Sequence, residues 1–146
     1  MALKPPLTRR EFEHLIPHAG AMCLLARVVE VDPQRIRCEA DNHRDPSNPL
    51  RNGQGLPVTA GIEYAAQAMA LHAAVGRDEG GEVQGGSIAV LTDISWRADR
   101  LDNVEGPLNV EATLLAGTGS GKQYSFAVGA AGAAPLISGV VIVALG

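Results

Sequence analysis

Residues 59–75 decide what this chain can become. The stretch Thr59–Val75 is rich in alanine, holds no proline, and has Gly76 immediately behind it, which reads as a helix with a glycine end. Its apolar residues fall all round the helix instead of along one stripe, so the helix is expected to be buried on most sides. A helix of that kind needs a cover, and the rest of the chain has to supply it.

The remaining segments read mostly as strands. Met22–Asp32 is rich in β-branched residues and ends at Asp32-Pro33. Arg35–Asp41 alternates Ile36, Cys38 and Ala40 with charged residues, the pattern of a half-buried strand, and should form a hairpin with the segment before it. Four more strand candidates follow the helix: Ser87–Trp96, Leu108–Leu115, Gln123–Ala130 and Leu136–Ala144. Residues 1–20 form a short amphipathic lead-in. In it Thr8 and Glu11 make a capping-box pattern, Phe12 and Leu15 anchor one turn, and Pro17 ends it. Asn42–Pro57 is a proline-, glycine- and asparagine-rich loop, and 77–86 is a second loop. One buried helix against about six largely antiparallel strands is an α+β arrangement, and a sheet curled round a single long helix is the hotdog architecture. At 146 residues, with 46% hydrophobic and 19% charged side chains, one globular domain over residues 1–146 is expected.

Composition removes several function classes. A net charge of −4 and 3% aromatics argue against a nucleic-acid surface. Cys23 and Cys38 make neither a disulfide framework nor a zinc site, so no metal is expected. Residues 1–12 lack the apolar core of a signal peptide, and Ala60–Val75 is too short and too polar to span a bilayer. The expectation is a cytoplasmic protein without membrane contact. Ala116–Gln123 nearly spells a phosphate-binding loop, but Gln123 stands where Ser or Thr would hold magnesium, and a strand pattern follows.

The chemistry-bearing residues gather around the start of the helix. Glu63 lies in its first turns, with Gln67 one turn on, along the same face. If buried, that carboxyl would move toward the range useful for acid–base catalysis, while an early glutamate on a wet surface would only complement the helix dipole. Backbone N–H groups after Pro57 are suited to holding a carbonyl oxygen that gains negative charge. His43 opens the long loop and is of the type that serves as a general base near neutral pH, although a loop histidine is more often solvated. His18 is expected to fix a turn, His14 to lie at the surface, and His72 to face away from Glu63, about half a turn round the helix.

Three stretches resemble the 3-hydroxyacyl-acyl-carrier-protein dehydratases of the hotdog superfamily, in particular the branch found in bacterial aryl-polyene and related pigment or lipid gene clusters. Ile16-Pro-His-Ala-Gly-Ala-Met-Cys-Leu-Leu-Ala-Arg-Val28 resembles the family's opening segment, with Ala26 where aspartate is usual. Leu56-Pro57 followed by Gly61-Ile-Glu-Tyr-Ala-Ala-Gln67 resembles its helix motif, and the strand order from Ser87 onward follows the family's. The resemblance implies a dimer with acyl-thioester tunnels at the subunit interface. It also implies a catalytic glutamate at Glu63, and substrate contacts from Gln67, Tyr64, Pro57 and Val58, with the thioester carbonyl held near Val58. The family's loop histidine falls on Asn48, so either His43, five residues earlier, folds back to supply the base, or the dehydratase chemistry is altered or lost. No cofactor is implied beyond the phosphopantetheine or coenzyme A that carries the substrate.

Three functions stay open on the sequence. The first is dehydration or rehydration of 3-hydroxyacyl thioesters on acyl carrier protein or coenzyme A, in fatty-acid or polyene-type biosynthesis, by Glu63 and His43. The second is a hotdog thioesterase, in which Asn48 assists Glu63. The third is a non-catalytic acyl-binding chain or heterodimer partner. A homodimer or a heterodimer with another hotdog protein is expected in each case, because a curled sheet leaves an edge to be covered. Arg51, Arg97 and Arg100 are candidates for recognising an acidic carrier protein or phosphopantetheine, although charged loop residues usually just face solvent.

Overall fold

The computed structural model describes residues 6–15, 22–75, 86–117 and 121–145. Pro17, His18, Gly76 and residues 77–85 and 118–120, where the sequence suggests loops, lie outside the described residues. The elements run β1 (Leu7–Thr8), α1 (Arg9–Phe12), a 3-10 turn (Glu13–Leu15), β2 (Arg27–Val31), β3 (Arg35–Ala40), α2 (Ala60–Val75), β4 (Gly86–Trp96), β5 (Leu108–Gly117), β6 (Gly121–Ala130) and β7 (Ile137–Leu145). The strands form one seven-stranded sheet in the order β1-β2-β3-β5-β6-β7-β4, antiparallel throughout. The seventh strand is the two-residue β1, which pairs Leu7 with Val28. Thr8 then turns the chain into α1, its backbone N–H and hydroxyl both donating to Glu11 Oε1 at 3.0 Å.

The alternation of β3 becomes register. Ile36, Cys38 and Ala40 are buried and lie opposite Ala112, Val110 and Leu108 of β5, which are buried too. Helix α2 packs chiefly on β3, β5 and β6. Its small residues allow that close approach. A Cβ added to Gly61 would sit 2.7 Å from Ile137 Cγ2. This is the hotdog arrangement: one long helix, with the sheet wrapped over it.

One strand is shorter than its sequence pattern. Residues 22–26 are irregular, although Cys23, Leu24 and Leu25 are buried. Their backbone groups find partners outside the sheet. Leu24 N–H donates to Gln67 Oε1 at 2.8 Å, Gln67 Nε2 donates to Met22 O at 2.6 Å, and Arg9 donates to Cys23 O at 2.7 Å. An apolar run carries the same signal whether strands or side chains satisfy its backbone.

The far side of the sheet is less covered. β4 is a terminal strand, hydrogen-bonded among the described strands only to β7. Val90 and Leu91 are adjacent and so point to opposite faces, yet they are 42% and 41% exposed, and Trp96 is 56% exposed.

Candidate active site

The segment that delivers α2 is pinned on both sides. Val58 N–H donates to Asp99 O and Leu101 N–H to Leu56 O, each at 2.9 Å, so 56–58 runs beside 99–101. The helix then closes tightly, with Ala60, Gly61 and Ile62 donating to Pro57, Val58 and Thr59. These bonds narrow the expected carbonyl site to one donor. The Val58 N–H is already used, and among residues 58–62 Thr59 is the one whose N–H has no backbone acceptor.

Glu63 is the one exposed residue of α2. Of the two placements left open by the sequence, a buried carboxyl and a solvated first-turn glutamate, the structure shows the second. The sheet covers the faces that carry Tyr64, Ala65, Ala68 and Leu71, and leaves the one that carries Glu63 open. The Glu63 carboxylate makes no hydrogen bond or ion pair with another described residue. Gln67 does not share its surroundings. It is buried, and its carboxamide is spent on Leu24 and Met22, so it braces the chain instead of presenting an amide to a ligand.

Asn48 is 6% exposed and also fully occupied. Its Nδ2 donates to Asn42 O and to Tyr64 Oη, both at 2.9 Å, and its Oδ1 accepts from Leu50 N–H. Tyr64 Oη in turn donates to Asn42 Oδ1 at 2.7 Å. Burial pushes the Tyr64 hydroxyl up to about 12, against the Asn48 hydrogen bond, so it stays protonated at neutral pH. The Asn48 side chain thus ties the loop to α2. Tyr64 is the other end of that tie and offers no free hydroxyl to a substrate. Asn42 and Asn48 also border an open cleft of about 510 Å³, with Arg9, Asp45 and Ser47.

His43 is only 2% exposed. Its Nε2 lies 2.9 Å from Val104 O, and a carbonyl can only accept, so Nε2 carries the proton. Nδ1 is then the ring's lone pair, and it has no partner among the described residues. The ring is held in one tautomer by a backbone carbonyl, but its unpaired nitrogen is sealed from solvent, so in the single chain it is oriented without being open to a ligand. Neither His43 nor Asn48 is hydrogen-bonded to Glu63, so the single chain does not join the expected pair.

Other groups gave weaker sequence signals. His72 is buried on the opposite side of α2, its Nε2 donating to Asp32 O at 2.9 Å and its Nδ1 accepting from Tyr124 Oη at 2.8 Å. Arg51 and Arg100 both approach one buried carboxylate, Asp102, at 4.0 and 2.6 Å, while Arg97 is exposed. Asp102 had no local signal, since its contact with Leu56 spans 46 residues of sequence. Among the described residues no group of three or more His, Cys, Asp or Glu could hold a metal ion, and no helix is long and apolar enough to cross a membrane.

Comparison with known proteins agrees with this architecture. A family model described as ApeP-like, ApeP dehydratase, matches residues 10–143. No curated protein matches. Among solved structures, the dehydratase heterocomplex ApeI:P from Xenorhabdus doucetiae contains a chain that superposes with a TM-score of 0.81 at 20% identity, over 99% of this chain and 93% of that one. The thioesterase HI1161 from Haemophilus influenzae gives 0.67 at 10% identity, over 99% and 94%. AziG from S. sahachiroi gives 0.62 at 14% identity, over 90% and 97%. At these identities the likenesses show the shared fold.

Proposed function

The chain belongs to the ApeP-like dehydratase family, and on that premise we propose that it removes water from 3-hydroxyacyl thioesters, or adds it in reverse, with the acyl group carried on the phosphopantetheine of an acyl carrier protein. The observation that carries this reading is Glu63: the one exposed residue of an otherwise covered helix, in its first turn and without a partner among the described residues. A free carboxyl there is placed to meet a ligand arriving from outside the chain.

In the proposed reaction a base takes the proton from C2, the C3–O bond breaks, and an acid protonates the departing hydroxyl to water. His43 is the base, its ring oriented by Val104 O, and Nδ1, sealed in the single chain, has to be uncovered for it to act. Glu63 is the acid or positions the leaving water. Thr59 N–H is the backbone donor for the thioester oxygen. These protein groups suffice without a bound cofactor, and the reading places the protein in the cytoplasm, in fatty-acid or aryl-polyene-type biosynthesis. Asn48 argues against the thioesterase alternative, because both its N–H groups and its oxygen are already engaged within the chain.

The site is completed by a second hotdog chain along β4. That strand runs from Gly86 to Trp96, with one edge unpaired among the described residues and apolar side chains exposed on both faces. A homodimer satisfies it. A heterodimer is the second form, favoured by the likeness to a chain from a two-protein dehydratase complex.

The deciding experiment follows enoyl product and free thiol together from a 3-hydroxyacyl thioester. Glu63→Gln and His43→Ala are each expected to lower enoyl formation at least about 100-fold. Free thiol that depends on Glu63 alone would move the assignment to a thioesterase. Full rates in both variants would remove it from this site.

A further inference from the structure

Asp102 lies in the connection between β4 and β5, far in sequence from the catalytic helix, yet its carboxylate is built into the entry of that helix. Its side chain is 6% exposed. Arg100 grips it with Nε at 3.0 Å and Nη2 at 2.6 Å, Leu56 N–H donates to it at 3.1 Å, and Arg51 from the long loop stands 4.0 Å away. The opposite wall is Gly55, at φ +115, where an added Cβ would lie 2.7 Å from both Arg100 Nε and Asp102 Oδ2. Only glycine fits there. Leu56, Pro57 and Val58 follow directly, paired with residues 99–101, and α2 begins at Ala60.

We propose that Asp102 is a positioning residue for the thioester reaction. By holding Leu56 N–H and Arg100 at once, it sets the height at which the start of α2 presents Thr59 N–H and Glu63 to the substrate. The inference rests on the reading that Glu63 acts on substrate. A carboxylate suits this task because it accepts from a backbone N–H and a bidentate guanidinium together. Arg51 extends the clamp to the loop that carries His43 and Asn48, so one charge ties the two halves of the site to a common point.

The test uses Asp102→Asn, which keeps the shape and an acceptor but removes the charge. It also uses Arg100→Gln, a change at a side chain 44% exposed, which leaves folding least disturbed. Two quantities are read: thioester kinetics, and amide hydrogen exchange of the free protein. Asp102→Asn is expected to lower kcat about 10- to 100-fold with KM within about twofold, as a small misplacement of reacting groups does. Exchange should quicken across 56–63 and stay unchanged in β5, β6 and β7. Arg100→Gln should move both readouts the same way by less. Unchanged exchange at 56–63 would overturn the clamp. Faster exchange with unaltered kcat would overturn its positioning role. Exchange needs no substrate, so a Glu63→Gln enzyme of normal rate would sink the functional reading while the clamp was still judged separately.

Discussion

The Asn48 carboxamide donates to the Tyr64 hydroxyl at 2.9 Å, and the hydroxyl passes its own proton to Asn42 Oδ1 at 2.7 Å. The loop before α2 is therefore closed onto the helix one residue after Glu63, through the buried Asn48 and Tyr64 and the half-buried Asn42. Asn48→Asp keeps the acceptor for Leu50 N–H but turns both donors into an oxygen that faces Asn42 O. It should lower unfolding stability by about 2–4 kcal/mol, since buried groups left unpaired cost about 1–3 kcal/mol each. Tyr64→Phe removes one acceptor and one donor and should cost less, about 1–2 kcal/mol. Urea unfolding of the two variants checks the order. If Tyr64→Phe proved the more damaging of the two substitutions, this account of the tie would be wrong.

Gln67 ties α2 to the irregular segment 22–24, and this tie is as testable as the first. Gln67→Glu keeps the acceptor for Leu24 N–H but sets an oxygen against Met22 O, whereas Gln67→Met removes both bonds at similar size. Each should destabilise the fold by about 1–3 kcal/mol, and Glu more at pH 8 than at pH 5, where protonation restores a donor. Denaturation midpoints at the two pH values decide it.

These ties explain what was and was not legible in the sequence. The all-round apolar character of 59–75 announced a covered helix, and the alternation at Ile36, Cys38 and Ala40 announced the strand that covers it. Both are local patterns with a fixed period. Which face the sheet would leave bare is not local, so the sequence leaves Glu63 open between buried and solvated, and the fold makes it the one exposed residue of α2. Residues 22–26 read as strand because burial, not pairing, sets their composition. Asn48 was legible as a departure from the family pattern. That its amide closes the loop onto Tyr64 follows only once the chain is folded.

His72 gives the fold a pH dependence of predictable sign. Burial, the largest cause, holds its pKa below the ordinary 6.5, against the hydrogen bond to Asp32 O. Below about pH 6.5 the unfolded chain takes up a proton that the folded chain refuses. The stability that comes from keeping His72 neutral is therefore complete above about pH 6.5. It is lost progressively as pH falls from there toward the depressed folded value. Urea midpoints should drop between pH 7.5 and pH 5 in the wild type, and drop less in His72→Gln. Equal slopes would show that another group titrates.

Gly61 is where the start of α2 meets β6 and β7. Its missing side chain leaves room for Ile137 Cγ2 and, at 3.5 Å, for Val128 Cβ, both on fully buried residues. Gly61→Ala gains about 1 kcal/mol of helix propensity. The contact at 2.7 Å must be relieved by moving the helix or the sheet, and overpacking of this kind costs about 1–3 kcal/mol. The two effects nearly offset in stability, so the loss should show in function: thermal midpoint within a few degrees of wild type, thioester turnover reduced because Glu63 moves with the helix. A variant equally active would show that the sheet yields instead.

The exposed edge makes the last prediction. β4 carries Val90, Leu91 and Trp96 into solvent on a strand with no described neighbour on one side, an arrangement that monomers avoid because such edges aggregate. Covering it requires a partner whose own edge is apolar, and an arginine in its middle would then be buried without a counter-charge. Leu91→Arg should weaken self-association at least about 100-fold, equivalent to about 2.8 kcal/mol. Its secondary structure should be kept, because Leu91 is already 41% exposed in the chain alone. Analytical ultracentrifugation of wild type and variant at about 10 μM separates the outcomes, a concentration well above the Kd that a standard interface provides. A wild-type monomer that dimerises only with a second hotdog protein would assign β4 to a heterodimer. A wild-type monomer that ignores such a partner would remove β4 as an interface and leave Glu63 to act within a single chain.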